Sequence, residues 1–237
     1  MNQKEHANRI ISPELPTLTR YRNLFWQNHQ FSITRALQYE ILSHYTFAGK
    51  LLDVGGGDRA SYKDILRCET YSSVNIDAVA EPTWVVGIGE ALPCGDNDYD
   101  CVLSMNTFEH IFDVQYVLQE ISRVLKPDGK FVSSVPFLFP IHGHPDDFFR
   151  PTASWWLNSL TQHGFVDINV TPLVWGPFST GLVCSGTPGP GKAFRRHAAL
   201  LLDILYATIQ GYRHPSNIIG HTIERCALAF FVTATKQ

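Results

Sequence analysis

The chain has 237 residues, 44% of them hydrophobic and 17% charged, with a formal charge of −3. That is enough for one domain with a large core plus an elaboration, and it lacks the basic footprint that a nucleic-acid backbone demands of its binder. The five cysteines (Cys68, Cys94, Cys101, Cys184, Cys226) are odd in number and lack paired metal spacing, so they read as reduced core residues.

Residues 1–30 are polar with scattered aromatics and prolines, and read as a loosely ordered arm ahead of a domain over 31–237. They carry no charged-then-apolar leader, which makes the cytoplasm the expected compartment. No apolar run approaches bilayer length. The nearest, residues 198–206, is interrupted by Asp203 and reads as a packed helix, with peripheral membrane contact as the alternative. Nothing in the sequence sets an oligomeric state.

A first helix is predicted where Ile33, Leu37, Ile41, Leu42 and Tyr45 recur at helical spacing. It leads into a short apolar strand, Lys50 to Val54, that carries Asp53 and ends in Gly55-Gly56-Gly57. A strand turning so sharply into a helix needs residues without a Cβ, so that the backbone can take positive φ and a ligand can approach the main chain. A second strand, Tyr71 to Ile76, closes with Asp77, about 20 residues after the glycines, where an acid meets a ribose diol in parallel α/β sheets. Nicotinamide nucleotides and S-adenosylmethionine both carry that ribose. Asp53 separates them, because a carboxylate there meets an ammonium but repels a pyrophosphate. No lysine follows the glycines as a phosphate loop requires.

Further along come Gly87-Ile88-Gly89-Glu90-Ala91-Leu92-Pro93, then Asp98 to Ser104, Phe108-Glu109-His110, and Glu120 to Lys130. This succession, over roughly residues 48–175, resembles the type 11 branch of the class I S-adenosylmethionine-dependent methyltransferases. Two positions depart from the pattern: Arg59 replaces a frequent glycine, and Ile88 replaces an acid that contacts the adenine amine in many members. The resemblance implies a Rossmann-like α/β fold, with a seven-stranded, mostly parallel sheet, helices on both faces and an antiparallel last strand. It implies cofactor contacts at Asp53, Gly55, Gly57, Asp77, Gly89, Glu90 and Asn106.

After Asp113, a plausible N-cap, Val114, Val117, Leu118, Ile121, Val124 and Leu125 repeat the helical stripe, and Pro127-Asp128-Gly129 is expected to stop it. A strand from Lys130 to Val135 follows. Ligands bind outside the carboxyl ends of parallel strands, so residues 108–113 and 136–152 should line the pocket. The second stretch holds His142, His144, Asp146, Asp147 and Arg150 among apolar walls Phe137, Leu138 and Phe139. It also resembles a His-x-x-Pro-x-Asp-aromatic-x-Arg-x-Thr tract of type 11 methyltransferases associated with glycan and cell-surface biosynthesis, through His142, Pro145, Asp147, Arg150 and Thr152.

Methyl transfer to a hydroxyl needs collinear positioning and removal of a proton, a task suited to an imidazole oriented by a carboxylate. His142 is the expected base, His144 its competitor, Asp147 or Asp146 the orienter, and Arg150 the grip for an anionic acceptor group. The structural alternative is that the histidines cap loops and Asp147 and Arg150 form a local ion pair ahead of a helix started by Thr152. His110 either faces the cofactor or packs. His142, His144, Asp146 and Asp147 also offer oxygen and nitrogen ligands, but no metal set is assigned.

Trp155 to Leu160 predict a helix ended by His163-Gly164; Val166 to Trp175 reads as the sixth strand and Cys226 to Thr235 as the seventh. The insertion between them, about 176–225, opens with a glycine- and proline-rich stretch, contains a helix from Arg195 to Gln210, and reads as a lid, an acceptor platform or an interface. The expected activity is O-methylation of a sugar, glycan or other small hydroxylated acceptor. C-methylation of a quinone or lipid-like ring is the alternative among enzymes, and a non-catalytic cofactor-binding regulator or scaffold the alternative from another class.

Overall fold

The computed structural model describes residues 7–27, 30–143, 145–186, 189–210 and 224–237. In chain order the elements are β1 (Arg9–Ile10), α1 (Leu18–Tyr21), α2 (Ile33–Leu42), β2 (Phe47–Val54), β3 (Cys68–Asn75), β4 (Trp84–Val85), β5 (Tyr99–Met105), α3 (Val114–Val124), β6 (Leu125–Pro136), α4 (Ala153–Gln162), β7 (Phe165–Leu173), α5 (Pro177–Cys184), α6 (Lys192–Gln210) and β8 (Ala229–Lys236). Among the described residues they form one eight-stranded sheet, ordered β1-β7-β8-β6-β5-β2-β3-β4. Every pairing is parallel except those of β8 with β6 and β7.

The central strands are apolar on both sides because both sides are covered. Leu51, Leu103 and Val132 pack with α2, Phe25 and Leu200 of α6; Leu52, Val102 and Phe131 pack with α3 and α4. The amphipathic stripes make this possible: Ile33, Leu37 and Leu42 are buried from α2, and Val114, Leu118, Ile121 and Val124 from α3. Leu118 is fully buried, so Leu118→Ala would cost about 2–5 kcal/mol. The helix starts follow local chemistry. Ser32, Asp113 and Thr152 each accept a backbone N–H of the first turn, from Arg35, Tyr116 and Trp155 respectively.

The structure departs from the sequence reading in five places. The helix expected after the glycine turn is only a single 3-10 turn, Lys63–Ile65, before β3. The sheet has eight strands rather than seven, because Arg9–Ile10 adds to the β7 edge. The described part of the N-terminal stretch is therefore ordered against the core, with Phe25 fully buried against Trp175. Pro127-Asp128-Gly129 does not separate helix from strand: β6 already starts at Leu125, and these residues form a register shift against β5, with Asp128 at φ 63°. The insertion begins with an additional helix, α5. Its N-terminal N–H groups at Phe178 and Ser179 are taken by the buried carboxylate of Asp203 on α6. Asp203, which interrupts the apolar run, is thus the cap of the neighbouring helix. No helix among the described residues is long and apolar enough to cross a membrane.

The carboxyl ends of β2, β3, β5, β6 and β7 lie along one edge of the sheet. From β2 the chain proceeds outward to β3 and later returns on the other side as β5, so β2 and β5 flank the crevice where α/β folds bind ligands.

Candidate functional site

At the end of β2 the glycine turn is held in place from below. Asp53 is fully buried and its carboxylate accepts the hydroxyls of Tyr62 (2.9 Å) and Tyr71 (2.8 Å). Burial pushes its carboxyl up to about 7. A Cβ at Gly56 would come within 2.0 Å of Asp53 Oδ2, and one at Gly55, whose φ is 91°, within 2.0 Å of Thr107 Oγ1. Glycine is required at both positions. Asn75 donates its amide to the carbonyls of Gly55 (2.8 Å) and Gly56 (3.1 Å), fixing the turn to β3. Asp53 therefore supports the turn, and the ammonium partner expected of it would find both its oxygens already engaged by tyrosines.

Above the turn lies a cleft of about 490 Å³ bounded by Gly55, Gly56, Gly57, Asn106, Arg35 and Tyr39, with Arg59 at its exposed side. Gly55, Gly57 and Asn106 of the expected cofactor residues line it. Asn106 sits at φ 52° and exchanges amide hydrogen bonds with the fully buried Gln38, 2.6 and 3.2 Å, while Gln38 also donates to Ser134 Oγ at 3.0 Å. Asp77 follows β3 and spends one oxygen on the backbone N–H of Val79. Glu90 turns back to accept the N–H of Gly87, and Gly89 (φ 78°) and Ile88 are exposed beside it. Arg35, Tyr39 and Gln38 were not foreseen. Gln38 had a readable signal, a polar residue on the apolar stripe of α2.

At the ends of β5 and β6 the arrangement is different. Phe108–His110 forms a single 3-10 turn after β5. Glu109 is fully buried with neither carboxylate oxygen hydrogen-bonded, and burial pushes its carboxyl up to about 7. His110 donates from Nδ1 to the Asp146 carbonyl at 2.5 Å, and its Nε2 lies 3.8 Å from Glu109 Oε1. The loop after β6 folds back so that the ring of His142 stands edge-on to His110, centroids 5.1 Å apart. Glu109, His110 and His142 each present a ligand atom within 4.8 Å of the others.

The remaining loop residues divide. Asp147 forms a bidentate ion pair with Arg150 and accepts the His142 backbone N–H at 2.9 Å, and the Arg150 guanidinium holds its carboxyl below the usual range. Its Oδ2 also stands 3.4 Å from His142 Nδ1. Asp147, expected to orient the His142 ring, bonds its backbone N–H instead, with the Pro140 carbonyl nearer the ring Nδ1, and Arg150 is spent on Asp147 rather than presented as a free anion grip. Asp146 is exposed and contributes its backbone carbonyl. His144 lies outside the described residues. Beyond the histidines, Phe112 and Phe148 form an exposed ring pair, centroids 5.5 Å apart. On the far side α5 closes against this loop, with Cys184 Sγ 3.7 Å from the Leu138 carbonyl. In the sequence Glu109 is only part of the Phe108-Glu109-His110 motif; Phe108 beside it is fully buried, and the Phe148 N–H reaches the Glu109 carbonyl from 39 positions away, a contact no local pattern reveals.

Comparisons with known proteins bear on the domain and the fold. A family model described as a methyltransferase domain matches residues 52–133. A 70-residue stretch is 31% identical to the mitochondrial 2-methoxy-6-polyprenyl-1,4-benzoquinol methylase of Xenopus laevis, covering 30% of this chain and 23% of that protein. The chain's matches span less than a quarter of the length of the curated relatives. Among solved structures, a Thermotoga maritima SAM-dependent methyltransferase superposes with a TM-score of 0.52 at 16% identity, over 93% of this chain and 96% of that one. A Haemonchus contortus phosphoethanolamine N-methyltransferase, solved with S-adenosylhomocysteine, gives 0.51 at 13% identity over 92% and 56%. Likeness at such low identity shows the fold. Residues 52–133 thus match a methyltransferase-domain model, and the chain has the α/β fold of the solved methyltransferases.

Proposed function

We propose that this protein is an S-adenosylmethionine-dependent methyltransferase acting on an oxygen of a sugar, glycan or other small hydroxylated acceptor. The observation that carries the reading is the convergence of His142 and His110, rings 5.1 Å apart, at the same sheet edge as the glycine cleft. The cleft fits the cofactor: its floor is bare main chain at positions where any Cβ would collide, and Asp77 keeps one carboxylate oxygen uncommitted to the turn it caps. Gly55, Gly57 and Asn106 would border the methionine and ribose, Asp77 would receive the ribose hydroxyls, and Gly89 with Glu90 would flank the adenine. Arg35 and Tyr39, on the α2 rim, suit the methionine carboxylate. When bound, S-adenosylmethionine supplies an electrophilic methyl carbon on a sulfonium leaving group.

What the chain must supply is position and a place for the hydroxyl proton. The His110–His142 pair serves both, because the carbonyls of Asp146 and Pro140 hold the imidazoles by their Nδ1 sides and leave Nε2 for the acceptor. The α5 and α6 insertion forms a wall on that side rather than a free lid, since Trp175 donates to the Leu200 carbonyl and Asp203 caps α5.

The second reading, C-methylation of a quinone or lipid-like ring, is favoured by the exposed Phe112 and Phe148 pair at the mouth and by the stretch shared with the benzoquinol methylase. Calorimetry with S-adenosylmethionine and S-adenosylhomocysteine, followed by tritiated-methyl transfer to hydroxylated glycans and to quinols, tests both. Label on glycan oxygens supports the first reading and label on ring carbon the second. Absence of cofactor binding would overturn both and leave a protein without methyl transfer.

A further inference from the structure

We infer that Glu109, His110 and His142 form a binding site for a divalent transition-metal ion of the zinc class. The three offer ligand atoms within 4.8 Å of one another, the spread of a single coordination sphere before closure on an ion. Two imidazoles and one carboxylate are a donor set that suits zinc and its first-row neighbours, and not magnesium, which prefers an all-oxygen shell.

Two independent observations point to an ion. First, Glu109 is fully buried with both oxygens lacking hydrogen-bond partners. A carboxyl group in that state costs free energy whether charged or neutral, and a cation bound beside it would repay the cost. Second, both histidines are already set as ligands. The acceptor beside each Nδ1 is a carbonyl oxygen, Asp146 at 2.5 Å for His110 and Pro140 at 3.2 Å for His142. A carbonyl can only accept, so Nδ1 carries a proton and, in the neutral ring, Nε2 holds the lone pair. Anchoring of the remote ring nitrogen in this way is typical of metal-bound histidine, and the Asp147 carboxylate, 3.4 Å from His142 Nδ1, reinforces it.

Access is open, since the His142 side chain is 38% exposed while Glu109 forms the closed back of the site. Three protein ligands leave a coordination position free for an oxygen of water or of an acceptor. Binding of the ion stands on these residues alone; it would take the two Nε2 lone pairs, so the ion would replace the imidazoles as the group that meets an acceptor hydroxyl, a use that rests on the methyl-transfer reading above.

The test uses the full-length protein, stripped with a chelator and titrated with zinc and with cobalt. One equivalent of zinc should bind and raise the melting temperature, and cobalt should give the visible absorption of a four- or five-coordinate centre. Glu109→Gln, isosteric and compatible with the fold, should weaken zinc binding at least 100-fold and remove the cobalt band. His142→Ala, at a half-exposed position, should do the same, and Asp147→Asn should weaken binding by about tenfold through loss of ring anchoring. No stoichiometric binding, or zinc binding unchanged in both Glu109→Gln and His142→Ala while circular dichroism shows intact folds, would overturn the site. Methyl transfer that persists in a protein with no zinc affinity would refute the ion and leave the enzyme. Zinc binding without cofactor binding would support the ion and refute the enzyme.

Discussion

The two halves of the crevice are built on opposite terms. Beneath the glycine turn every named polar group has a partner: Asp53 its two tyrosines, Asn75 two carbonyls, Gln38 and Asn106 each other. At the ends of β5 and β6, Glu109 and Nε of Arg150 are buried without one. The first half is complete in the free protein and needs only to remain open. The second holds unmet polar capacity at the place where an acceptor, or an ion, would sit. Preorganisation on one side and unfilled demand on the other is what separates a cradle from a reacting end.

The strongest way to break the cradle is Gly56→Val. Its Cβ would sit 2.0 Å from Asp53 Oδ2, so calorimetry should detect no cofactor binding, and the melt should fall by about 1–3 kcal/mol of stability. The matching blow to the other half is His142→Ala. The rate of transfer to an oxygen acceptor should fall roughly 10²-fold in a tritiated-methyl assay, with cofactor affinity nearly unchanged. A loss of cofactor affinity instead would show that the halves are not independent.

Asp53 sharpens the comparison through pH. Its folded carboxyl titrates at about 7, above the unfolded value near 4, so between those values the folded state binds the extra proton. Stability should therefore decline as pH rises from 5 to 8, by about 2–3 kcal/mol for this one group, and level off above its folded value. Denaturant titrations of chelated protein should show a slope that Asp53→Asn reduces; an unchanged slope would mean that the tyrosines keep Asp53 ionised. Asp77→Ala should weaken cofactor binding at least tenfold by removing the carboxylate expected at the ribose, and lower the melt only slightly through the lost cap on Val79.

The smallest effect belongs to Arg150→Lys. Arg150 holds the Asp147 carboxyl below its usual range, a contribution present above the ordinary carboxylate pKa and lost as pH falls through the folded one. The variant should cost about 1 kcal/mol near neutrality, with the deficit shrinking in melts as the pH falls below about 4. The acceptor's KM should stay unchanged, and a raised KM would restore Arg150 as a grip on an anionic acceptor.

The sequence by itself determined what depends on near neighbours: the glycine turn, the stripes of α2 and α3, the caps at Asp113 and Thr152, and the succession of the main strands from β2 to β8. Backbone strain, helical periodicity and capping act over a few residues, so they can be read in line. Only the tertiary structure decided how the site is joined. Gln38 meets Asn106 from 68 positions away, and Asp146 holds His110 from 36; Asp203 caps a helix 25 residues before it. The same holds for β1, whose two residues pair with a strand 160 positions on. Such contacts leave no periodic trace, because what brings them together is the stacking of whole elements on the sheet. Asp53 looked like a ligand contact from its place beside the glycines, and became a buried support once Tyr62 and Tyr71 folded beneath it. Glu109 looked like part of a motif, and became a buried carboxyl group without a hydrogen-bond partner once Phe108 entered the core and Phe148 bonded its backbone.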